Sequence, residues 1–382
     1  MPDTPPSPTP NAGAAAHPLP VLDLRDFTQG DSAQRAAFVE QLRDTAHRVG
    51  FFYLRGWVGD AAQPEDRLAD QVLQAARDFF ALSQADKDSV RMVNSAQFRG
   101  YTAAGEEITR GERDWREQLD LGAERALIPP SADRPGWARL QGPNQWPAAL
   151  PALRSALLAW QDLLTHAGLQ LLRALALALG QAENRFDAAF AGTPVQHLKL
   201  IHYPGRGEGQ SRQGVGPHKD SGCLTLLLQD TQAGLQVLER EAGEPHWIAV
   251  PPLRGALVVN LGEVLEIVSS GWLRATVHRV VSPAQDGHRQ SVAFFLSPRL
   301  DAALDELRLP PQLAAQARGM DRDPMNPLIA HTGRNLLKGR LRSHPDVSAR
   351  HHADLLAAEG IAPGAPAAGT GGRTQPGPQV PG

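Results

Sequence analysis

The chain has 382 residues, 42% of them hydrophobic and 21% charged, with a formal net charge of −3. That balance is ordinary for a globular protein and carries no basic surplus of the kind that marks a nucleic-acid binder. Its single cysteine, Cys223, excludes an intramolecular disulfide and makes the cytoplasm the expected compartment.

Residues 1–18 (MPDTPPSPTPNAGAAAHP) have neither the cationic start nor the apolar stretch of a signal peptide and read as a disordered tail. A largely helical region is expected over 19–196. It opens on the short strand-like PVLDL of Pro20 to Leu24. Helical spacing follows from Gln34 to Val49 through Phe38, Leu42 and Ala46, and Gly50 ends it. Phe51 to Leu54 (FFYL) reads as a buried strand, and Arg67 to Leu82 as a second helix. The polar, glycine-punctuated segment Gly100 to Glu117 (GYTAAGEEITRGERDWRE) reads as a loop or short ribbon near a pocket. Leu153 to Leu179 is a long apolar helix with Leu157, Trp160, Leu164, Leu171 and Leu175 on overlapping faces. Its most apolar part, LQLLRALALAL, is too short to span a membrane and contains Arg173.

From His197 the period becomes two, and seven runs follow: HLKLIHY, CLTLLLQ, LQVLE, WIAVP, ALVVNL, ATVHRVV and SVAFFL. Short strands separated by turn residues predict a mainly β core over 197–300, a sandwich or barrel that a jelly-roll closure would protect at its edges. Helices are expected again at Leu328 to Leu337 and Ala349 to Leu356, interrupted at Pro345, within a helical region over 301–359. The expected organisation is one domain over 19–359, with a second disordered tail at 360–382, which is rich in Pro, Gly and Ala.

His218 and Asp220 stand two apart, so on a strand their side chains share a face and can reach one ion. Gly214, Gly216 and Pro217 give a turn into that strand, and Ser221-Gly222 permits a bend after it. His278, in ATVHRVV, can close the set from a neighbouring strand. Two histidines and one carboxylate are the pattern that holds non-haem iron(II) on one face, leaving positions open for a co-substrate and O2. Arg289-Gln290-Ser291 follows across SPAQDGH, so the two strands are expected to form a hairpin. Arg289 and Ser291 share a face and offer a guanidinium fork plus a hydroxyl, a receptor for a carboxylate. Two other classes compete: a jelly roll that binds metal and a carboxylate without turnover, and a zinc hydrolase using His218 and His278. A structural zinc site would be closed by four protein ligands, and no HExxH-like helix supplies a hydrolytic base.

His218-Lys219-Asp220, His278 and Arg289-Gln290-Ser291, with the front segment PVLDL…GFFYL, resemble the motifs of the isopenicillin N synthase-like branch of the 2-oxoglutarate and iron(II)-dependent oxygenases. The resemblance covers nearly all of Pro20 to Leu356. It implies a distorted double-stranded β-helix, or jelly roll, with helical flanks. It also implies Fe(II) held by His218, Asp220 and His278, and the distal carboxylate of 2-oxoglutarate held by Arg289 and Ser291, with Tyr203 of HYPG lining that pocket. The implied activity is oxidation of a small polar, amino-acid-like substrate by O2, with 2-oxoglutarate converted to succinate and CO2. Some members use the same Arg and Ser for a substrate carboxylate, so an oxidase independent of 2-oxoglutarate remains the alternative.

Gly100 to Glu117 also resembles the ethylene-forming enzymes in its GY…GEE.T pattern, and Gln141 to Pro147 resembles their GP..WP stretch. This second resemblance implies that Glu107 and Thr109 contact a guanidinium, that Lys199 stands for an arginine near 2-oxoglutarate, and that Arg342 lies close to the substrate. Read from the residues alone, Glu107 could equally cap or pair locally, and Arg342 could be one more charge in the basic run Lys338 to Arg342. Ser221 stands where those enzymes have a tyrosine, and Ser291 is a serine they lack. Hydroxylation, desaturation and ring closure therefore stand beside ethylene formation. Cys223 reads as a small core residue leading into Leu224 to Leu228.

Overall fold

In the computed structural model, residues 18–59, 64–109, 112–131, 133–240, 244–319 and 328–359 are described; the two expected tails, apart from Pro18, lie outside them. The alternating runs all become strands. In chain order the strands are β1 (Val21–Asp23), β2 (Phe51–Arg55), β3 (Gly100–Thr102), β4 (Ile108–Thr109), β5 (Glu112–Arg113), β6 (Glu117–Gly122) and β7 (Pro194–Pro204). They continue as β8 (Gln213–His218), β9 (Leu224–Gln229), β10 (Leu235–Glu239), β11 (His246–Ala249), β12 (Leu257–Leu261), β13 (His278–Val281) and β14 (His288–Arg299). Eight strands form a major sheet in the order β1-β2-β12-β9-β14-β7-β6-β3, four form a minor sheet β11-β10-β13-β8, and β4-β5 is a separate ribbon. This is the helix-flanked double-stranded β-helix expected from the sequence.

Period-two side-chain alternation separates two cores. On β2, Phe52 and Leu54 face the helices while Phe51 and Tyr53 face inward, toward Ile201, Tyr203, Val215, Val237, Val258 and Val280. The inward set fills the space between the two sheets, and the site lies at its margin. The outer face of the major sheet is covered by helices, chiefly Ala152–Ala178, whose Leu157, Leu164, Leu171 and Leu175 are fully buried. Gly168 allows that helix to approach closely, since a Cβ there would lie 2.6 Å from Leu296 Cδ2. The Ser32–Arg48 helix begins with a capping box, in which Asp31 accepts from Gln34 N and the Gln34 side chain accepts from Asp31 N. It ends as expected at Gly50, whose φ of 66° suits the left-handed cap position.

Three expectations are corrected. β13 and β14 are not a hairpin: β13 sits between β10 and β8 in the minor sheet, so both its edges are taken, and the chain crosses to the major sheet before Arg289. The region before residue 197 is also less purely helical than expected, because β1, β2, β3 and β6 supply four of the eight major-sheet strands. In the C-terminal part the helices run Thr332–Ser343, Pro345–His351 and Ala353–Glu359, with Pro345 opening the second at a position where its missing N–H costs nothing. No helix among the described residues is long and apolar enough to cross a membrane.

Candidate metal and co-substrate site

β8 and β13 pair antiparallel with His218 directly opposite His278, and their ring centroids are 4.3 Å apart. Asp220 lies just beyond the end of β8 rather than on it, immediately before the bend anticipated around Ser221-Gly222. Its Oδ1 is 3.6 Å from His218 Nε2 and 3.8 Å from His278 Nε2. One ligand atom from each residue falls within 4.8 Å of the others. The far side of each group is anchored. His218 Nδ1 is 2.8 Å from Gly216 O and His278 Nδ1 is 3.1 Å from Thr276 O, so each Nδ1–H donates to a carbonyl and each Nε2 is turned toward Asp220. Thr225 Oγ1 and Asn260 Nδ2 donate to Asp220 Oδ2 at 2.6 and 2.7 Å, leaving Oδ1 free of them.

Burial, with His278 beside it, pushes the His218 ring down to about 4, so it is a neutral donor at neutral pH. Burial opposes ionisation of Asp220, but His278, His218 and its hydrogen bonds outweigh it and hold the carboxyl below its ordinary range. Two imidazole nitrogens and one carboxylate converging from one side fit a divalent iron and leave its other side to small ligands.

Arg289 points inward from β14, opposite Tyr203 of β7, with its guanidinium 4.9 Å from the Tyr203 ring centroid. The side chain is completely buried, yet its hydrogen-bond partners are neutral: Gln229 Oε1 at 2.9 Å and Ser291 Oγ at 3.4 Å. Its Nε is buried with no partner. A buried cation hydrogen-bonded only to neutral groups is costly, and the arrangement fits a carboxylate docking on the fork. Glycine makes the approach possible, since a Cβ at Gly234 would lie 2.9 Å from Arg289 Cδ.

Next to this lies a buried file of charge. Glu107 is bound by Arg116 Nη2 at 2.5 Å and Gln118 Nε2 at 2.9 Å, with His344 Nε2 at 3.7 Å and Lys199 Nζ at 3.8 Å. Lys199, on the Tyr203 face of β7, also stands 3.5 Å from Asp120 Oδ1. Asp120 in turn contacts His197 Nε2 at 2.7 Å and Arg340 Nη1 at 3.5 Å. Burial disfavours the ionised form of Glu107, but Lys199, Arg116 and His344 bring its carboxyl down to about 2. Asp120 is likewise held well below its ordinary value, Lys199 and His197 outweighing its burial. Thr109 donates to Asp114 Oδ2 at 2.7 Å, and Asp114 Oδ1 accepts from Gln213 Nε2 at 3.0 Å and from Gly216 N at 3.2 Å. Asp114 thus ties the ribbon to the strand that carries His218.

Arg342 is exposed on the Thr332–Ser343 helix, whereas Arg340 reaches the file. Two helical positions differ by about 200°, so these two arginines leave opposite faces. Asp114, Arg116, Asp120, His197, Arg340 and His344 were not anticipated from the sequence. The signal for Asp120 was available, because in EQLDLG the polar Gln118 and Asp120 alternate with the core residues Leu119 and Leu121. Cys223 is buried in the core, and burial pushes its thiol up, away from reactivity.

Residues 19–149 match the family model described as non-haem dioxygenase in morphine synthesis N-terminal, and residues 194–298 match that of the 2OG-Fe(II) oxygenase superfamily. The chain is 35% identical over 349 residues to the 2-oxoglutarate-dependent dioxygenase frbJ of Dothideomycetidae sp., covering 86% of this chain and 90% of that one. It is 34% identical over 304 residues to a homoarginine-6-hydroxylase of Glycine max, covering 76% of this chain and 88% of the relative. Among solved structures, a putative 2OG-Fe(II) oxygenase family protein of Caulobacter crescentus superposes with a TM-score of 0.65 at 28% identity, over 86% of this chain and 99% of that one. A full-length Neurospora crassa protein solved with α-ketoglutarate and thymine gives a TM-score of 0.65 at 25% identity, over 84% and 96%. The chain belongs to the 2-oxoglutarate and iron(II)-dependent oxygenases. It is an enzyme of that class, and its cofactor and co-substrates are Fe(II), 2-oxoglutarate and O2.

Proposed function

We propose that His218, Asp220 and His278 hold the iron, that Arg289 and Ser291 hold the distal carboxylate of 2-oxoglutarate beside Tyr203, and that the substrate is a small amino acid with a cationic side chain. On this reading succinate and CO2 are released as the substrate is oxidised. Iron, when bound, supplies the activation of O2. The protein's own part is placement. Asp220 presents its free carboxylate oxygen and the two imidazoles their Nε2 atoms to one point, and the Arg289 fork with the Ser291 hydroxyl orients the keto acid.

The observation that carries the substrate reading is the ionised pair Glu107 and Asp120, buried among Arg116, Lys199 and Arg340 and linked through Asp114 and Gly216 to His218. Buried carboxylates of this kind recognise a cation by charge and hydrogen bond together. Thr109 stands at the same ribbon, and Lys199 serves this side as the ammonium between both carboxylates. Homoarginine-6-hydroxylases among the relatives support a guanidino amino acid as the class.

The test is turnover by the Fe(II)-loaded protein with 2-oxoglutarate and a panel including L-arginine, L-homoarginine and neutral amino acids. Succinate, substrate mass and headspace ethylene are followed together. Expected is succinate formation coupled to a product heavier by one oxygen atom, for a cationic amino acid only. Succinate formation indifferent to every amino acid would remove the substrate reading, and ethylene as the main product would replace hydroxylation with the ethylene-forming reaction. Glu107→Gln keeps shape but loses charge, so it should raise the KM for that amino acid by about tenfold to a hundredfold while leaving the 2-oxoglutarate requirement unchanged. An unchanged KM would show that Glu107 serves only its local pairs.

A further inference from the structure

Beyond Arg340 the charged file opens into a cavity of about 70 Å³ that nothing in the iron chemistry uses. Its polar lining includes Arg99, Arg125, Arg340 and His197 together with glutamine and threonine side chains, and no carboxylate among the described residues lines it. Leu140, Leu300 and Leu336 form part of its apolar wall. On a scale where about 10–15 Å³ holds one water, the space suits a compact anionic group with a few waters.

The cavity is built around Arg99. A Cβ on Gly122 would lie 2.0 Å from the Arg99 guanidinium carbon, so only glycine at the end of β6 lets that group lie there. Asn144 clamps the same glycine, accepting from Gly122 N at 2.8 Å and donating to Gly122 O at 2.9 Å. Despite this placement Arg99 is poorly satisfied. Its Nε is buried without a partner, and Nη2 reaches Leu140 O only at 3.4 Å. The nearby carboxylate of Glu124 accepts through Oε2 from Asn144 Nδ2 and Trp146 Nε1, each at 3.0 Å. Arg340 shares Asp120 with Lys199 and His197, and its Nη2 lies 2.8 Å from His197 Nε2. Burial first and Arg340 second hold His197 down to about 3, so the imidazole is neutral, and the same two causes push Arg99 down to about 10. Asp120 pairs with Arg340, and Asp120 and Glu124 lie within electrostatic reach of Arg99, yet both guanidinium groups line a cavity whose described lining carries no acid, the converse of the Glu107 and Asp120 side.

We propose that this cavity is a binding site for an oxyanion of the carboxylate or phosphate class, gripped by the guanidinium groups of Arg99 and Arg340. The anion is either the carboxylate end of the substrate or a separate small anion. The first source rests on the amino-acid reading above, and the site itself does not. Planar guanidinium groups bind such anions through paired N–H donors, which is what Arg99 has to offer.

The test is calorimetric titration of inorganic sulfate into the full chain, anaerobic and loaded with Fe(II) and saturating 2-oxoglutarate, so that the metal and Arg289 are already engaged. The wild type should bind sulfate saturably, one per chain. Arg99→Gln and Arg340→Gln should each weaken it by about tenfold or more with the melting temperature maintained, as expected for loss of a charged hydrogen-bonding partner. L-Arginine should displace sulfate if the substrate carboxylate is the natural occupant, and both should bind together if the anion is separate. No saturable binding by folded wild type, or equal affinity in folded Arg99→Gln, would overturn the site. Turnover of an amino acid without sulfate binding removes the cavity alone. Sulfate binding without turnover of any amino acid removes the substrate reading alone.

Discussion

Asp220→Ala is expected to abolish iron-dependent succinate formation while the protein stays folded. Asp220 contributes the one negative charge of the proposed iron set, and its Oδ1 is the atom nearest both imidazole Nε2 atoms. Losing an ionic ligand contact of about 4 kcal/mol corresponds to about a thousandfold in occupancy or rate, enough to remove measurable turnover at ordinary iron concentrations. The structural cost is smaller. Thr225 Oγ1 and Asn260 Nδ2 lose their acceptor, at about 1–3 kcal/mol each when nothing replaces it, and the removed carboxylate leaves space for water to do so. A folded Asp220→Ala protein that formed succinate at the wild-type rate would remove Asp220 from the iron set. Succinate assay and thermal melting on the same preparation separate loss of iron from loss of fold.

Arg289→Leu should raise the 2-oxoglutarate concentration needed for half-maximal turnover by about thirtyfold to five-thousandfold, with iron binding unaffected. Truncating one partner of a buried, hydrogen-bonded charge pair costs about 2–5 kcal/mol, which spans that range. Folding should tolerate the change, because Arg289 is a buried cation whose protein partners, Gln229 and Ser291, are neutral. Replacing it with an apolar side chain removes a desolvation penalty and leaves one amide oxygen to find another donor. An unchanged 2-oxoglutarate requirement would instead favour the oxidase mode, in which Arg289 and Ser291 serve a substrate carboxylate.

Much of this was legible in residue order. Short apolar runs between turn residues marked β7, β9, β10, β12 and β14, whose side chains divide between the helix-facing core and the space between the sheets. The spacing of His218 and Asp220 predicted convergence, although Asp220 achieves it from just beyond the end of β8. Local pattern failed where pairing was decided at a distance. The stretch SPAQDGH looks like a hairpin turn, yet β8 and β10 already occupy both edges of β13, which forces the chain across to the other sheet. β3 and β6 were hidden for a different reason: they are short, and their inward residues, Gln118 and Asp120 among them, are polar because they face charged partners rather than a hydrocarbon core. Arg340 was missed in favour of Arg342 because a run of basic residues does not reveal which helical face meets the sheet.

The central claim is that His218, Asp220 and His278 form an iron site sharing one pocket with 2-oxoglutarate held by Arg289. Anaerobic addition of Fe(II) and then 2-oxoglutarate to the full chain measures this before any substrate is known. The weak visible charge-transfer absorption of an iron and keto-acid chelate should appear in the wild type, require far more 2-oxoglutarate in Arg289→Leu, and be missing in Asp220→Ala. Wild-type protein shown to carry stoichiometric Fe(II) that gives no such band at saturating 2-oxoglutarate would contradict the account.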